Sequence, residues 1–461
     1  MTIYRFRPIN SIISEEDLKG ENLNNKKSYD ELRAQEVYHS PLHLLNDPME
    51  GYMDIVWQGD NVVWKNLIKH YVICLEHVIN LSFLLSKEDI LKSSNIPIFK
   101  KYSDLPTKEY KSLIDEVCSK FFSNRKIIKF IKIVSEEPFP LRRDEILLYI
   151  TNLHFCIIDI VWSVYYKKGL ASKKLQIPKM NLKFFSDENL EILSQFKRSD
   201  HKEIPEFLSS VSNRYFEQIK LITRYNNKED NKNKAFLLFD FHSLYLKETE
   251  RLLYPDFTVA CFSDNHDNSS MWSHYAQNHE GVCLQFKTKN KDQTLFFGNR
   301  PIYKIRYQKK FPEIDFFQSL GNLPMPHLYK EWLCDESNNI SGSAKFLNAK
   351  NENKWREKYW KLGYKFITTK SNDWKYEKEL RSIIYSTIGE RKKSIKYDFK
   401  DLEGIIFGIK TKNEHKIKII KIIEEKCKIH RRNDFKFFQS EYCPKDGKIA
   451  KKELGFLKFS S

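Results

Sequence analysis

The sequence predicts an α+β protein, with a mixed β core assembled from both ends of the chain and a large, mainly α-helical insertion between them. Three observations lead there. Short β-rich runs alternate apolar and polar residues within the first sixty positions and again after residue 248. Between them, apolar residues recur at helical spacing over long stretches. The chain of 461 residues is 41% hydrophobic, enough for a substantial core, yet holds only 14 glycines. Sparse glycine argues against a doubly wound nucleotide fold, and neither a Gly-x-Gly-x-x-Gly turn nor a Walker loop occurs. The expected division is 1–61 as the first part of the core, 62–247 as the helical insertion, 248–426 as the second part and 427–461 as a basic C-terminal extension.

Taken in order, Ile3 to Phe6 reads as an opening strand whose period of two sends Tyr4 and Arg5 to opposite faces. Ser28 to Gln35 can be helical, and Glu36 to His39 is a second short strand. In Asn46-Asp47-Pro48-Met49-Glu50, Asp47 fits an N-cap, Pro48 the first helical position and Glu50 the third, a capping-box arrangement. Asn46 can face a ligand from the loop before it. Helical stripes follow from Trp64 to Ile79, Lys108 to Val134, Arg142 to Tyr166 and Ile204 to Tyr225, separated by basic and Asn-rich spacers such as residues 226–234. Beyond them, Phe257 to Phe262, Val282 to Phe286, Ile302 to Tyr307, Leu402 to Ile409 and Asp434 to Gln439 read as strands. Residues 311–353 read as a long loop with short helices, and Asn413 to Lys426 as a basic amphipathic helix.

The net charge of +17, with a pI near 9.2, favours acidic partners: DNA or RNA, a phosphate-rich cofactor or an anionic surface. A Lys-rich, AT-biased proteome gives the same balance without any such partner. The eight cysteines are scattered without Cys-x-x-Cys spacing, so no zinc site is expected, and free thiols fit a reducing compartment. The opening MTIYRFRPINS lacks a basic start followed by an apolar run, which fits a cytoplasmic location. Ile146 to Tyr166 has the length of a membrane span but contains Asn152, His154 and Asp159, so a buried helix and no membrane contact are expected.

The stretch from Asp256 to Lys287 organises the second half. It reads as strand, polar turn, two helical turns, stop and strand, with Gly281 at the stop. Trp272, His274 and Tyr275 sit on its short helix, where Met271, His274 and Tyr275 share a face by i, i+3, i+4 spacing. Core packing around one hydrogen-bonded histidine accounts for the same pattern. The runs Cys261-Phe262-Ser263, Met271-Trp272-Ser273-His274-Tyr275 and Gly281-Val282-Cys283, with Asn46 to Glu50 upstream and Trp374-Lys375-Tyr376-Glu377-Lys378-Glu379-Leu380-Arg381 downstream, make the chain resemble the bacterial "domain of unknown function 2971" family. The resemblance covers the first sixty residues or so and roughly the last two hundred. It implies a setting in bacterial antiviral defence, as a toxic effector or sensor, with the helical insertion meeting a phage trigger or regulatory partner.

Glu377-x-Glu379 at a strand entry is the sharpest chemical signal. On a strand, carboxylates two residues apart point the same way, about 7 Å apart at Cα. Trp374 and Tyr376 would then lie on the opposite face. The pair resembles the Glu-x-Glu element of ADP-ribosyltransferases, which cut the nicotinamide–ribose bond of NAD through an oxocarbenium-like transition state. By that resemblance the core is of ADP-ribosyltransferase type, NAD is the substrate, and ADP-ribose goes to a protein, a nucleic acid or water. Glu379 is then the catalytic carboxylate, with Glu377 and His274 assisting. Tyr4 and Arg5 would hold the diphosphate or ribose, and His39, Asn46, Ser263, Trp272, Tyr275 and Trp374 would complete the cofactor pocket. No metal is expected in that reading. The plainer account makes Glu377 and Glu379 solvated strand charges paired to Lys375, Lys378 or Arg381. A metal-dependent nuclease built on Asp264, Asp267, His274, Lys370, Glu377 and Glu379, or a non-catalytic nucleic-acid-binding sensor, are the competing classes.

Overall fold

The computed structural model describes residues 1–14, 30–86, 88–171, 184–198, 203–226, 232–291, 294–347, 351–386 and 394–459. Residues 28 and 29 of the expected Ser28–Gln35 helix and most of the 226–234 spacer lie outside them. The chain divides into two compact units: residues 1–52, 256–312 and 364–461 form one, and 53–255 with 313–363 form the other. Residues 313–363, expected in the core, thus belong to the helical unit. The protein is α+β, with one large mixed sheet and many helices.

The first unit is built on an 11-stranded sheet. Its strands are β1 (Thr2–Arg7), β2 (Ser40–Pro41), β3 (Asp256–Ser263), β4 (Val282–Lys287), β5 (Lys289–Lys291), β6 (Thr294–Phe297), β7 (Arg300–Lys304), β8 (Glu379–Ser386), β9 (Leu402–Phe407), β10 (Lys436–Cys443) and β11 (Lys448–Glu453). The order is β11-β10-β9-β4-β1-β3-β8-β7-β6-β5, with β2 paired to β3. All pairings are antiparallel except β9 with β10. The helix Asn413–His430 makes the crossover that this parallel pair requires. The expected C-terminal extension thus contributes two strands, β10 and β11, to the sheet.

Both faces of this sheet are covered, so its central strands are apolar almost throughout. On one face, Ile3, Phe262, Leu284, Phe286, Leu380 and Ile405 pack with Ile419, Ile422 and Ile423 of the helix Asn413–His430. On the other, Tyr4, Phe6, Cys283, Ile406 and Phe438 pack with Met271, Trp272 and Ala276 from the short helix Ser269–Tyr275 and its end. Asn268 caps that helix, its Oδ1 accepting from the backbone N–H of Ser270 and Met271. Gly281 is not the residue that stops it. Left-handed Gln277, Asn278 and His279 turn the chain, and Gly281 passes so close to β1 that a Cβ would lie 2.3 Å from the Arg7 carbonyl oxygen.

The helical unit holds the helices Asn61–Leu84, Lys108–Phe122, Arg125–Ser135, Arg143–Lys167, Asp187–Arg198 and Glu203–Asn226. The expected single stripe from Lys108 to Val134 is two helices, because Ser123 and Asn124 break it and Asn124 caps the second. Asn61–Leu84 and Arg143–Lys167 are each long and apolar enough to cross a membrane, and most of each apolar stretch is buried within the unit. Their buried polar groups are paired. His154 Nε2 donates to the Leu237 carbonyl at 2.8 Å, so its Nδ1 accepts from the Tyr71 hydroxyl at 2.8 Å. The Glu76 carboxylate accepts from the Tyr110 and Tyr165 hydroxyls, and burial pushes its pKa up to about 7.

Candidate functional site

Three neighbouring strands set one row across the middle of the large sheet. Tyr4 on β1 stands opposite Ser263 on β3, and Ser263 stands opposite Glu379 on β8. A cleft of about 210 Å³ opens over this row. Tyr4, Arg5, Asn46, Ser263, Tyr275, Glu377 and Glu379 all line it, so seven of the residues expected at the site meet there. Glu50, Cys261 and Lys370 line it as well.

The two glutamates do not converge by strand alternation. Asn372–Glu377 is a 3-10 turn, Lys378 is left-handed at φ 45°, and β8 begins only at Glu379. Ser263 fixes this turn, its hydroxyl donating to the Glu377 carbonyl at 2.8 Å. The reversal buries both carboxylates on one ammonium. Lys370 Nζ donates to Glu377 at 2.7 Å and Glu379 at 3.3 Å, and is ion-paired with Glu50 at 2.9 Å. Lys370 reaches them from a two-residue strand paired in parallel with Arg306–Tyr307. The Trp374 ring covers it, its centroid 4.6 Å from Nζ.

Arg381, two residues along β8, closes the cluster. Its Nε donates to Glu379 at 2.5 Å and its Nη2 to Glu379 at 3.0 Å and Glu50 at 2.7 Å. Its Nη1 donates to the Ile367 carbonyl at 2.6 Å. Three carboxylates and two cations are thus held together with almost no solvent contact. One negative charge is in excess, and the Tyr275 hydroxyl donates to the Glu377 oxygen that no cation reaches.

The carboxylates differ in what remains open. Glu379 accepts three bonds and is clamped by a guanidinium. Burial pushes its pKa up, but Arg381 and Lys370 outweigh that and hold it at about 2. Glu377 accepts one bond per oxygen, from the Tyr275 hydroxyl at 2.5 Å and from Lys370. Burial, aided by Glu379, raises its pKa against the opposing pull of Lys370. Glu50 Oε2 is buried with no donor among the described residues. The Cys261 thiol is kept protonated by burial and by the Glu379 charge.

Several expected assignments change. His274 is exposed and does not line the cleft. Trp272 is fully buried in the core, edge-on to Phe6, with its indole N–H donating to the His266 carbonyl at 2.9 Å. His39 is buried too: its Nδ1 donates to the Val37 carbonyl and its Nε2 accepts from Ser382. Burial and the Arg5 charge lower its pKa to about 3. Trp374 backs Lys370 from outside the cleft rather than stacking a ligand within it. Arg5 borders the cleft, but its guanidinium is committed to the Tyr38 carbonyl at 2.9 Å and lies 3.6 Å from Glu31. Of the nuclease set, Asp264, Asp267 and His274 do not line the cleft, and among the described residues no three His, Cys, Asp or Glu side chains are grouped to hold a metal ion.

Glu50 is a cleft residue that sequence reasoning reads only as a helix cap. No capping box forms: the Glu50 N–H bonds the Asp47 carbonyl and the Met49 N–H bonds Asp47 Oδ1, a turn that is not followed by a helix. The signal for Lys370 and Arg381 was present but weak. Each is one of several cations near the glutamates, with Lys375 and Lys378, and only the tertiary fold shows that these two are buried.

The fold and site define an α+β protein with a charged, carboxylate-lined cleft on the face of a mixed sheet. Residues 271–382 match the family model described as "Protein of unknown function (DUF2971)". The matched span holds the Met271–Tyr275, Gly281–Cys283 and Trp374–Arg381 motifs, with Tyr275, Lys370, Glu377, Glu379 and Arg381 of the cluster. No curated protein and no solved structure matches the chain.

Proposed function

We propose that the cleft binds the nicotinamide–ribose end of NAD and cleaves the bond between them, passing ADP-ribose to a protein, nucleic-acid or water acceptor. The observation that carries this reading is Glu377. It is the one cleft carboxylate of the cluster that keeps a free lone pair on each oxygen while Lys370 and Tyr275 fix its orientation. The row Tyr4, Ser263, Glu379 beside it supports an ADP-ribosyltransferase-like arrangement of the sheet.

In this mechanism the ribose C1′–nitrogen bond breaks and its electron pair neutralises the nicotinamide nitrogen. Positive charge builds at C1′, and the Glu377 carboxylate opposes it in a site with little water. The acceptor oxygen then bonds C1′ and its proton passes to Glu377, whose raised proton affinity suits that step. Glu50 Oε2, lacking a donor, is the acceptor for a ribose hydroxyl. Glu379 exchanges its expected role for a structural one: clamped by Arg381, it holds Lys370 in place. The volume is below the ~300–1,000 Å³ typical of small-molecule sites, so the cleft takes one nucleoside and the adenylate lies across its lip. The role as a defence effector rests on the family resemblance.

Incubation with adenylate-labelled NAD tests the proposal. Label appearing as free ADP-ribose, or on added DNA, RNA or protein, is the expected result. Intact NAD under every acceptor condition, with a correctly folded chain, overturns it.

A further inference from the structure

We propose that the rim beside the buried carboxylates of the sheet unit is a docking surface for single-stranded nucleic acid. Two segments build it, residues 306–310 and 370–378, and the fold lays them side by side. Arg306–Tyr307 pairs in parallel with Thr369–Lys370, and the Gln308 N–H bonds the Lys370 carbonyl at 3.0 Å. The Glu379 N–H donates to the Tyr307 hydroxyl at 2.8 Å, which ties the first segment to the start of β8. Both segments therefore border the charge cluster.

The two segments expose Arg306, Lys309, Lys310, Lys375 and Lys378. Among the described residues none of these is in an ion pair, whereas Lys370 between them meets three carboxylates. Carboxylates close by do little to offset them. Asp373 accepts from the Ser371 hydroxyl at 2.9 Å, and Asp264, whose N–H bonds the Lys378 carbonyl, is half-buried. Aromatic rings stand between the cations. Trp374 shares one side of the 3-10 turn with Glu377, three residues on, and lays its ring over Lys370 with the centroid 4.6 Å from Nζ. The Tyr376 ring lies 6.1 Å from it, tilted by 33°, and both are half-buried.

Uncompensated cations with aromatic rings among them track a phosphate backbone and stack its unpaired bases. A duplex keeps its base faces covered, which favours a single strand. Neither segment contains an aliphatic hydrophobic residue to enter lipid, which argues against a membrane surface. Charge also orients the strand. The cluster below the rim holds three carboxylates against two cations, so phosphates stay at the rim and only an uncharged sugar or base edge approaches Glu377. This surface does not depend on the NAD reading, because it binds a strand whether or not the cleft cleaves NAD.

Fluorescence anisotropy of the full chain with labelled oligonucleotides of about twelve residues tests this. Oligothymidylate and oligouridylate are the DNA and RNA arms, and binding of either satisfies the proposal. The expected plot of log affinity against log salt falls with a slope of about −2 to −3.5, about 0.7 for each of three to five phosphates held. Lys310→Glu combined with Lys375→Glu changes two exposed side chains outside the cluster; it is expected to weaken binding at least tenfold and to flatten the slope by about 1.4. Trp374→Leu keeps an apolar cover on Lys370 but removes the stacking plane, and is expected to cost at least about fivefold with the slope unchanged. Lys412→Glu combined with Lys421→Glu, the same charge change at exposed positions about the helix Asn413–His430, is expected to cost less than about threefold and corrects for net charge alone. The proposal is overturned if neither oligonucleotide binds, if the 310/375 pair binds as the wild type does, or if the 412/421 pair loses as much. Equal affinity for a duplex of the same length overturns it too, as does binding of anionic vesicles without any oligonucleotide binding. A strand bound by a chain that leaves NAD intact sinks the NAD reading alone, and NAD cleavage without strand binding sinks this inference alone.

Discussion

At the scale of single residues, the account turns on how five buried charges share their partners. Lys370 contacts three carboxylates, so Lys370→Met leaves Glu377 with no cation and Arg381 alone against Glu50 and Glu379. Removing one member of a buried charge cluster costs about 3–5 kcal/mol, and chemical denaturation of the variant is expected to show a loss of that size. Glu379 carries a pH signature. Its folded pKa lies at about 2, below the ordinary carboxylate value, so it stabilises the folded state above about pH 4.3 and that contribution is lost as pH falls toward 2. Unfolding measured between these pH values is expected to show a shallower slope for Glu379→Gln than for the wild type. An unchanged slope contradicts the clamp.

At the scale of elements, the site depends on a turn rather than on a strand. Lys378 is the left-handed residue that reverses the chain between Glu377 and Glu379. A β-branched residue tolerates that conformation poorly, so Lys378→Val is expected to cost about 1–2 kcal/mol and to displace Glu377, while Lys378→Gly folds normally. Thermal unfolding of the pair separates the backbone effect from loss of the lysine charge. Gly281→Ala is expected to destabilise the chain by about 1–3 kcal/mol, because its Cβ would strike the Arg7 carbonyl across the β1–β4 pair; denaturant unfolding reads it directly. Elements with a strong local period were legible in sequence: β1, β3, β4, β9 and the helices Arg143–Lys167 and Glu203–Asn226 fall within a residue or two of their expected bounds. Less legible was any feature decided by distant contacts. Glu50 reads locally as a cap, His39 as a ligand and Trp272 as a stacking platform. Burial by strands more than two hundred residues away gives each a different partner. The Glu377 and Glu379 pair was found for the wrong geometric reason, since a 3-10 turn was read as strand alternation.

At the scale of the whole molecule, both units carry buried neutral histidines. Burial lowers His70 and His154 to about 4 each and His39 to about 3, below the ordinary value near 6.5. Each therefore stabilises the folded chain above about pH 6.5, and that stability is lost as pH falls from there toward 4 and 3. His154→Gln is expected to flatten the upper part of this acid sensitivity, which thermal melts at pH 7, 6 and 5 would record. The sheet unit brings residues from both ends of the sequence to one cleft. The central claim is that Glu377 performs bond cleavage while Glu379 organises it. Its most direct test is nicotinamide release from NAD by the wild type and by Glu377→Gln, each verified as folded by circular dichroism. The account predicts release by the wild type and a loss of at least a hundredfold in the variant. Release that is unchanged in Glu377→Gln, or absent from the wild type with every acceptor, would contradict it.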